Sequence, residues 1–383
     1  MGEIKRRSIL KSSGVALTGG ALVSSVSARG NAQKTRSQSY DIESGIFVAA
    51  TDVEELSSDD IEQARQRAVD EYVSRDDPGV MSTAGSEYLV LSTAEQSLAS
   101  DSSIGSPLVG YALQFEDGYP RERKYRVPAD ASAEIRQNRI REAVKELERN
   151  IVTADSSDVV DPDPGWGDPL FFSVDEEEVM SGDEDEGIVF PFDYYGKFNS
   201  EVALYEGRET EENQEYGCTI GCTQVPGNDM DNTNYNGDNY ETLCRISPYG
   251  PSDLPILTDW GPDEDNTGGI LGNVDLESIS FGADSSGPYG EVTISPSSTD
   301  VYAQYDETNF ADDGPVETVY EIAGADDKVM QQFGNSAVFV TDTDSNAICD
   351  TTLDCAFSAP NSDSHPNSEH LSENIRRWDL DGE

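Results

Sequence analysis

The segment Asp313-Gly314-Pro315-Val316-Glu317-Thr318-Val319-Tyr320-Glu321-Ile322 decides the fold class of most of this chain. From Val316 to Ile322, polar side chains alternate with apolar, β-branched or aromatic ones, and only Val319 interrupts the alternation. A period of two residues is typical of a β-strand, and the preceding Asp-Gly pair favours a turn. The segment therefore predicts a strand that follows a turn.

Runs of the same kind recur from Pro169 onward, separated by Gly, Pro, Asp and Asn. Eight or more such strands predict a mainly β domain over residues 165–383, of the antiparallel sandwich or jelly-roll class. At its end, Leu371, Ile375 and Trp378 are spaced i, i+4 and i+7, which predicts a short C-terminal helix. The other predicted strands are Leu170–Val174, Ile188–Tyr195, Glu201–Tyr205, Val274–Phe281, Glu291–Ile294, Val301–Tyr305 and Ala337–Thr341.

Residues 41–155 predict a small α+β domain. Ser57 and Ser58 are suitable N-caps for a first helix that ends near Arg75. A second helix is predicted from about Ala131 to Val152. Residues 161–165 read Asp-Pro-Asp-Pro-Gly, which is stiff, polar and helix-breaking, so we place the domain boundary there. The strands predicted in this first domain are Gly45–Ala50, Glu87–Leu91, Leu108–Phe115 and Arg121–Val127.

Basic residues cluster in the last strand and the second helix of this first domain. One hypothesis is a face that docks the acidic second domain or another anionic partner. The favoured alternative is a solvated helix with local Glu pairs, such as Glu142 with Lys145. The cluster consists of Arg121, Arg123, Lys124, Arg126, Arg136, Arg139, Arg141, Lys145 and Arg149.

The charge of the chain indicates the solvent for which it is built. Asp and Glu number 76 against 25 Lys and Arg, giving a net charge of −51 over 383 residues. Molar salt shortens the Debye length to about 3 Å and screens the repulsion between such charges. Intrinsic disorder is the alternative, but 36% hydrophobic residues, 17 Tyr and 12 Phe favour a folded halophilic protein. A nucleic-acid partner is not expected, because this surface lacks the basic residues that neutralise phosphates.

Residues 1–28 predict a signal peptide, and residues 29–40 a flexible linker. A basic start precedes an apolar stretch from Gly14 to Val26, and Val26-Ser27-Ala28 offers a cleavage site. The pair Arg6-Arg7, followed by Ser-Ile-Leu-Lys, resembles a twin-arginine (Tat) export signal. With the acidic composition, the chain is similar to Tat-exported secreted proteins of haloarchaea. The resemblance implies export in the folded state and a secreted or peripherally cell-surface location, with no later segment of membrane-spanning length.

All five cysteines lie in the second predicted domain, and disulfides are the default in an exported protein. We expect Cys349–Cys355 to close a local loop and one further bridge to form among the remaining three, although the sequence does not fix the connectivity. A thiolate zinc site at Cys218, Cys222 and Cys244 is the alternative, but its C-x3-C spacing departs from the usual knuckle.

Other side chains suggest metal or glycan sites more weakly. His365 and His370, with Glu369 between them, could hold a metal, although a helix start on the surface is favoured. Asp342-x-Asp344-x-Asn346 and the stretch Asn232 to Gly237 resemble parts of calcium loops but lack the full ligand pattern. Trp166 and Trp260 lie beside Asp in turn-rich segments, where a loop Trp more often covers its own core than stacks on a sugar.

These observations favour an exported, salt-adapted, non-catalytic protein that binds a protein or glycan partner outside the cell, with no cofactor. An extracellular hydrolase that uses carboxylates or a metal is the alternative. The order helix then meander also has a likeness to PepSY-type inhibitory domains, which would make the first domain a restraint on the second. Motifs for Ser-His-Asp hydrolases, P-loop proteins and dinucleotide-binding proteins are not present.

Overall fold

The computed structural model describes most of the chain beyond residue 36 and leaves several connecting segments aside. The described ranges are 37–42, 45–51, 55–74, 88–92, 106–116, 118–128, 131–149, 160–161, 169–181, 193–209, 213–230, 232–249, 256–261, 271–272, 279–284, 287–292, 301–305, 315–322, 328, 330–342, 346–360 and 366–379. The predicted signal peptide, including Arg6 and Arg7, lies outside them.

The first part of the chain contains two helices and four strands close to the predicted positions. A fifth strand, Gln38–Ile42, overlaps the end of the predicted flexible linker, so residues 38–40 of that prediction are wrong. Helix α1 begins at Ser58, where Ser57 accepts from Asp60 N–H and Asp60 accepts from Ser57 N–H, a reciprocal cap. Gly118 lies in a turn with φ 98°, and glycine adopts this conformation readily. The elements are β1 Gln38–Ile42, β2 Gly45–Ala49, α1 Ser58–Ser74, β3 Tyr88–Ser92, β4 Leu108–Glu116, β5 Tyr119–Arg126 and α2 Ala133–Arg149.

The rest of the described chain is mainly β, as predicted. The predicted strands Val301–Tyr305 and Val316–Ile322 match β15 and β16 end for end. The elements are β6 Val160–Asp161, β7 Phe171–Met180, β8 Tyr194–Glu209, β9 Asn213–Pro226, β10 Asp238–Pro248, β11 Ile256–Gly261, β12 Leu271–Gly272, β13 Ile279–Asp284, β14 Gly287–Val292, β15 Val301–Tyr305, β16 Val316–Ile322, β17 Gln331–Asp342, β18 Ala347–Ser358 and β19 Asn367–Asp379.

The described strands form two large sheets and a small one. The nine-stranded sheet has the order β1-β2-β4-β5-β7-β8-β9-β17-β11, and the seven-stranded sheet has the order β12-β15-β16-β10-β18-β19-β3. Strands β13, β14 and β6 make the third sheet. Only β5 with β7 is a parallel neighbour pair among the pairings described. Strands from both predicted domains therefore share the two large sheets.

One apolar core lies between the two large sheets. It contains Phe198, Tyr216 and Phe333 from the nine-stranded sheet and Leu353 and Ile375 from the seven-stranded sheet. Because side chains of both sheets interdigitate in this core, the two sheets form a β-sandwich.

A second apolar core holds the two helices. Tyr72 of α1 stacks on Phe115 of β4, whereas Arg139 of α2 lies over Tyr125 of β5. In the β4–β5 register Tyr111 faces Lys124 and Gly110 faces Tyr125, so the helices lie on opposite faces of the sheet. Strand β4 is therefore buried on both faces, which explains its nearly continuous apolar run. None of the described helices is long and apolar enough to span a membrane.

The predicted C-terminal helix is wrong, because residues 367–379 form strand β19. Leu371, Glu373, Ile375 and Arg377 are buried and alternate with more exposed neighbours, apart from Asn374, which is also buried. A spacing of i and i+4 puts two side chains on one face of a strand as well as on one face of a helix. Leu371 and Ile375 thus fitted both periods, and the pairing with β18 and β3 selects the strand.

Candidate functional site

A cluster of buried charges joins the first part of the chain to the sandwich. Lys124 and Arg126 of β5 meet Asp175 and Glu177 of β7 and Glu373 of β19; these five residues are the ionic cluster. Arg126 Nε donates to Asp175 Oδ1 at 2.8 Å and Arg126 Nη2 to Asp175 Oδ2 at 3.0 Å. Arg126 Nε also lies 3.3 Å from Glu177 Oε2. Lys124 Nζ donates to Glu373 Oε1, which also accepts from the Ser173 hydroxyl.

The parallel pairing of β5 with β7 brings these charges together. Glu122 lies opposite Ser173 in the register. Every second residue beyond them, on both strands, points to the same face. On β7 that face also carries Phe171 and Val179 of the sandwich core. Asp175 and Glu177 therefore point into the molecule, where Lys124 and Arg126 neutralise them.

The surroundings of Glu177 and Arg126 shift the pKa of both groups. The Glu177 side chain is 2% exposed, and its burial raises its pKa to about 7, although Arg126 and the Ser106 N–H oppose the shift. Burial alone would lower the pKa of Arg126, but Asp175 and Glu177 more than offset it and raise that pKa. The cluster thus contains a carboxyl group that gains and loses its proton near neutral pH.

Six of the nine basic residues singled out in the sequence fall into two groups. Arg121 donates to the Pro169 carbonyl at 2.9 Å, and Arg139 lies 3.4 Å from Glu176. With Lys124 and Arg126, these residues contact the second part of the chain, as the docking hypothesis predicted. Arg123 lies 2.7 Å from Glu146 of α2, and Arg141 donates to the Gln137 carbonyl and to Asn138 Oδ1, so the contacts of these two residues stay within the first part of the chain. Local Glu pairs such as Glu142 with Lys145 stay a prediction.

A second buried network ties α1 to three strands. Arg65 of α1, which is 0% exposed, donates to Tyr111 at 2.9 Å, to Ser92 at 2.8 Å and to Glu122 at 3.1 Å. Ser92 also donates to Glu122 at 2.7 Å. Sequence reasoning missed this network, because an arginine on a helix is usually expected to face solvent. The one signal in the sequence is its position on the same helix face as Ile61, Ala64 and Ala68.

The five cysteines lie in the sandwich core, not in loops. Cys218 and Cys222 are on β9, Cys244 is on β10, and Cys349 and Cys355 are on β18. All five are 0% exposed. The expected bridge Cys349–Cys355 is wrong, because six residues of one strand separate these side chains by about 20 Å. Each of the two instead has a thiol of β9 beside it: Cys349 Sγ lies 3.9 Å from Cys218 Sγ, and Cys355 Sγ lies 3.4 Å from Cys222 Sγ.

Of the two histidines, His370 is described, and it pairs with a carboxylate of the neighbouring strand. His370 lies on β19 opposite Asp354 of β18, and its Nδ1 pairs with that carboxylate. Glu369 directly precedes His370 in the strand, so its side chain points to the face opposite that of His370. The hydrogen bond with Asp354 raises the pKa of His370, although its partial burial opposes the shift. His365 lies outside the described residues. The predicted helix start is wrong for the residues that follow, because Asn367–Asp379 form β19.

The remaining sequence candidates are structural or undescribed. Asn232 Oδ1 accepts from Asn234 N–H at 3.1 Å, and Asn236 N–H donates to the Tyr194 carbonyl at 3.0 Å, so this segment is a turn bound to β8. Three other candidates lie outside the described parts. They are residues 343–345 of the stretch from Asp342 to Asn346, Trp166 and the side chain of Trp260. Within those parts, no group of three or more His, Cys, Asp or Glu could hold a metal ion.

His370 and Asp354 belong to a wider polar surface on the sandwich. Arg245 of β10 pairs with Glu317 of β16 on the same side of the seven-stranded sheet, and the Tyr249 hydroxyl donates to Asp350. We call Arg245, Glu317, Asp350, Asp354 and His370 the outer face. Arg245, Asp354 and His370 side chains are 41%, 38% and 40% exposed. The surface is open, and it carries charges of both signs.

The comparisons with known proteins give no family. No family model and no curated protein matches the chain. Among solved structures it is similar to a "Pore forming protein", at 5% identity over 53% of this chain and 90% of that one, with a TM-score of 0.25. It is also similar to Clostridium perfringens delta-toxin, at 6% identity over 54% and 91%, with a TM-score of 0.28. Similarities with TM-scores this low support no conclusion about function.

Proposed function

We propose that this chain is an exported, salt-adapted β-sandwich protein that binds a protein or glycan partner outside the cell without a catalytic step. The observation that carries this proposal is the outer face. Its charged groups form a contiguous row on neighbouring strands and are partly open to solvent. A flat surface of paired charges of both signs matches the polar, solvent-accessible rim of a binding interface.

The distribution of charges inside the molecule also supports a binding role. Glu177, whose pKa is near neutrality, would be the first candidate for an acid or base in a hydrolase. Its side chain is 2% exposed and paired with Arg126, so a substrate has no direct access to it. The cluster therefore supports a structural function for these carboxylates more than the alternative of an extracellular hydrolase.

A binding experiment at molar salt tests the proposal. Labelled mature protein is titrated onto cells and onto isolated cell envelopes of the producing organism, and saturable binding is expected. The double variant Arg245→Ala/His370→Ala should weaken binding by about tenfold or more, which corresponds to roughly 1.4 kcal/mol. Arg141→Ala on the exposed side of α2 is the matched control and should bind as the unchanged protein does.

The outcomes separate the two functions. Equal binding by the double variant and the control would reject the outer face. Turnover of ester, peptide or glycoside substrates by purified protein would favour a hydrolase, particularly if Glu177→Gln abolished it. Export itself is tested with Arg6→Lys/Arg7→Lys, which should leave the protein inside the cell if the Tat proposal is right. Unchanged secretion of that variant would show that another route is used.

Salt adaptation has its own test. At low salt, the Debye length grows to about 30 Å at 0.01 M and surface carboxylates repel one another over long distances. The far-ultraviolet circular dichroism of the folded protein should therefore decrease as salt is removed. A spectrum that does not change would count against a halophilic protein.

A further inference from the structure

Two pairs of thiols face each other across the sandwich. Cys218 and Cys222 of β9 lie four residues apart, so they point to the same face of the nine-stranded sheet. Cys349 and Cys355 of β18 share the inner face of the seven-stranded sheet with Leu353. Cys218 Sγ lies 3.9 Å from Cys349 Sγ, and Cys222 Sγ lies 3.4 Å from Cys355 Sγ. The four sulfur atoms thus form two separate contacts between the sheets.

The neighbouring contacts show that this alignment continues along the strands. Beyond the second pair, Gln224 Nε2 of β9 donates to the Ala356 carbonyl of β18 at 2.9 Å. Residues 218, 222 and 224 therefore meet residues 349, 355 and 356 in the same order. Each thiol pair is held in place by contacts on the same two strands, and a small side-chain movement brings either pair to the bond length of about 2.05 Å.

We propose that the mature protein carries two disulfides between its sheets, Cys218–Cys349 and Cys222–Cys355, and that Cys244 remains a free thiol. In each reaction two S–H bonds break and one S–S bond forms. The two electrons and two protons pass to an external disulfide, which is reduced to two thiols. Inter-sheet disulfides of this kind are a known feature of β-sandwiches.

The position of Cys244 explains why it is left over. In the β10–β18 register Cys244 lies opposite Leu353, and Thr242 lies opposite Cys355. Cys244 and Cys355 are therefore diagonal neighbours within one sheet, whose Cα atoms are about 7–8 Å apart. Disulfides usually join Cα atoms that are about 4.4–6.8 Å apart. Cys355 is thus better placed to bond with Cys222 across the core.

Burial also fixes when the bonds form. All five thiols are 0% exposed, and burial raises the pKa of Cys222, Cys244 and Cys349 well above the ordinary value. Thiolate is the reactive species, so these groups react slowly once the sandwich has closed. An external disulfide therefore reaches these thiols only when the sandwich opens locally.

Peptide mapping without reductant tests the connectivity. Protein secreted into the medium is unfolded in denaturant with an alkylating reagent, digested and analysed by mass spectrometry. The expected result is alkylation of Cys244 alone, with crosslinked peptides that join Cys218 to Cys349 and Cys222 to Cys355. The intact mass should be lower by four hydrogens than that of the reduced protein.

Variants make the assignment specific. Cys349→Ser should release Cys218 for alkylation and keep the Cys222–Cys355 crosslink, whereas Cys355→Ser should do the reverse. Cys244→Ser is the matched control, because it removes a buried thiol of the same core and should leave both crosslinks intact. Five alkylated cysteines in the secreted protein would overturn the proposal. A crosslink between Cys349 and Cys355, or one that contains Cys244, would overturn it too.

Discussion

The core of the sandwich and the ionic cluster are stabilised by different forces. The ionic cluster lies where the helix-bearing part contacts the sandwich, and we call it the joint. The sandwich is packed around large apolar side chains such as Phe198, Phe333 and Phe339. The helix-bearing part at residues 37–149 has its own apolar core. Besides the strand pairs β5–β7 and β3–β19, it meets the sandwich through Lys124 and Arg126, which contact buried carboxylates. The first kind of contact depends on shape and area, whereas the second depends on matched charge.

This difference shows where an acidic protein uses its few cations. Only 25 of its residues are Lys or Arg. Arg65, Arg121 and Arg377 are nevertheless buried, and the Lys124 and Arg126 side chains are 11% and 14% exposed. Charges inside the molecule are thus paired, and the excess of carboxylates remains for the solvent side. Salt screens buried pairs less than surface charges, so the joint should not depend on salt as the surface does.

The largest expected effect comes from removing charge at the joint. Arg126→Met leaves Asp175 and Glu177 without their main cation, and we expect the free energy of unfolding to fall by about 3–5 kcal/mol. Denaturant titration at constant molar salt measures it. Arg123→Met is the control, because its pair with Glu146 is about 30% exposed and should contribute at most about 1 kcal/mol. Equal losses of unfolding free energy in both variants would show that the buried ionic cluster stabilises the protein no more than an exposed ion pair does.

A loss of similar size is expected in the sandwich from a change of shape alone. Phe333 is 0% exposed and stacks on Tyr320 with ring centroids 4.8 Å apart. Phe333→Ala should reduce the free energy of unfolding by about 3–5 kcal/mol through the cavity that it leaves. The loss should be the same at pH 5 and pH 8. A loss that changed strongly with pH would mean that the two parts are not stabilised by different forces.

Part of the pH dependence of stability should originate at the joint. The pKa of Glu177 is about 7 in the folded protein and ordinarily 4.5, so the folded state holds its proton between these values. The contribution of this group is complete below about pH 4.5 and is lost as the pH rises through 7, by at most about 3 kcal/mol. Glu177→Gln should flatten this part of the curve. Glu176→Gln, on the other face of β7, should leave the slope intact.

The smallest expected effect is at the start of α1. Ser57 and Asp60 cap this helix reciprocally, so Ser57→Ala should cost about 1 kcal/mol. Thermal unfolding followed by circular dichroism measures the shift. Ser58→Ala, one position into the helix, should stay within about 0.5 kcal/mol of the unchanged protein. If both variants behaved alike, the cap would not contribute to the stability of this part.

The sequence predicted local structure well and long-range pairing poorly. The cap at Ser57 and the alternation from Val316 to Ile322 are local signals, and both elements were found where predicted. Strand β7 was predicted only to Val174, because four acidic residues follow. Asp175 and Glu177 remain in the strand because Lys124 and Arg126 neutralise them. These cations come from another strand, so the sequence of β7 itself could not predict them.

The same limit explains the errors in the candidate site. The sequence brought the five cysteines to attention, but their partners depend on which strands face each other across the core. Cys349 and Cys355 are close in sequence, and on an extended strand closeness in sequence does not bring side chains together. His370 and Glu369 were considered as parts of one site for the same reason, but neighbouring residues of a strand point to opposite faces.

The pairing of β3 with β19 has a consequence for synthesis on the ribosome. In the register Ser92 lies opposite Ile375 and Tyr88 lies opposite Asp379. Strand β3 is translated early, but it can pair only after β19, one of the last described strands, has been translated. Until then β3 and β18 each lack a neighbour that they have in the finished sheet, and unpaired strand edges invite association with other chains. Contacts of such high sequence separation also slow folding. The nascent chain should therefore need protection by chaperones until its final strands have left the exit tunnel.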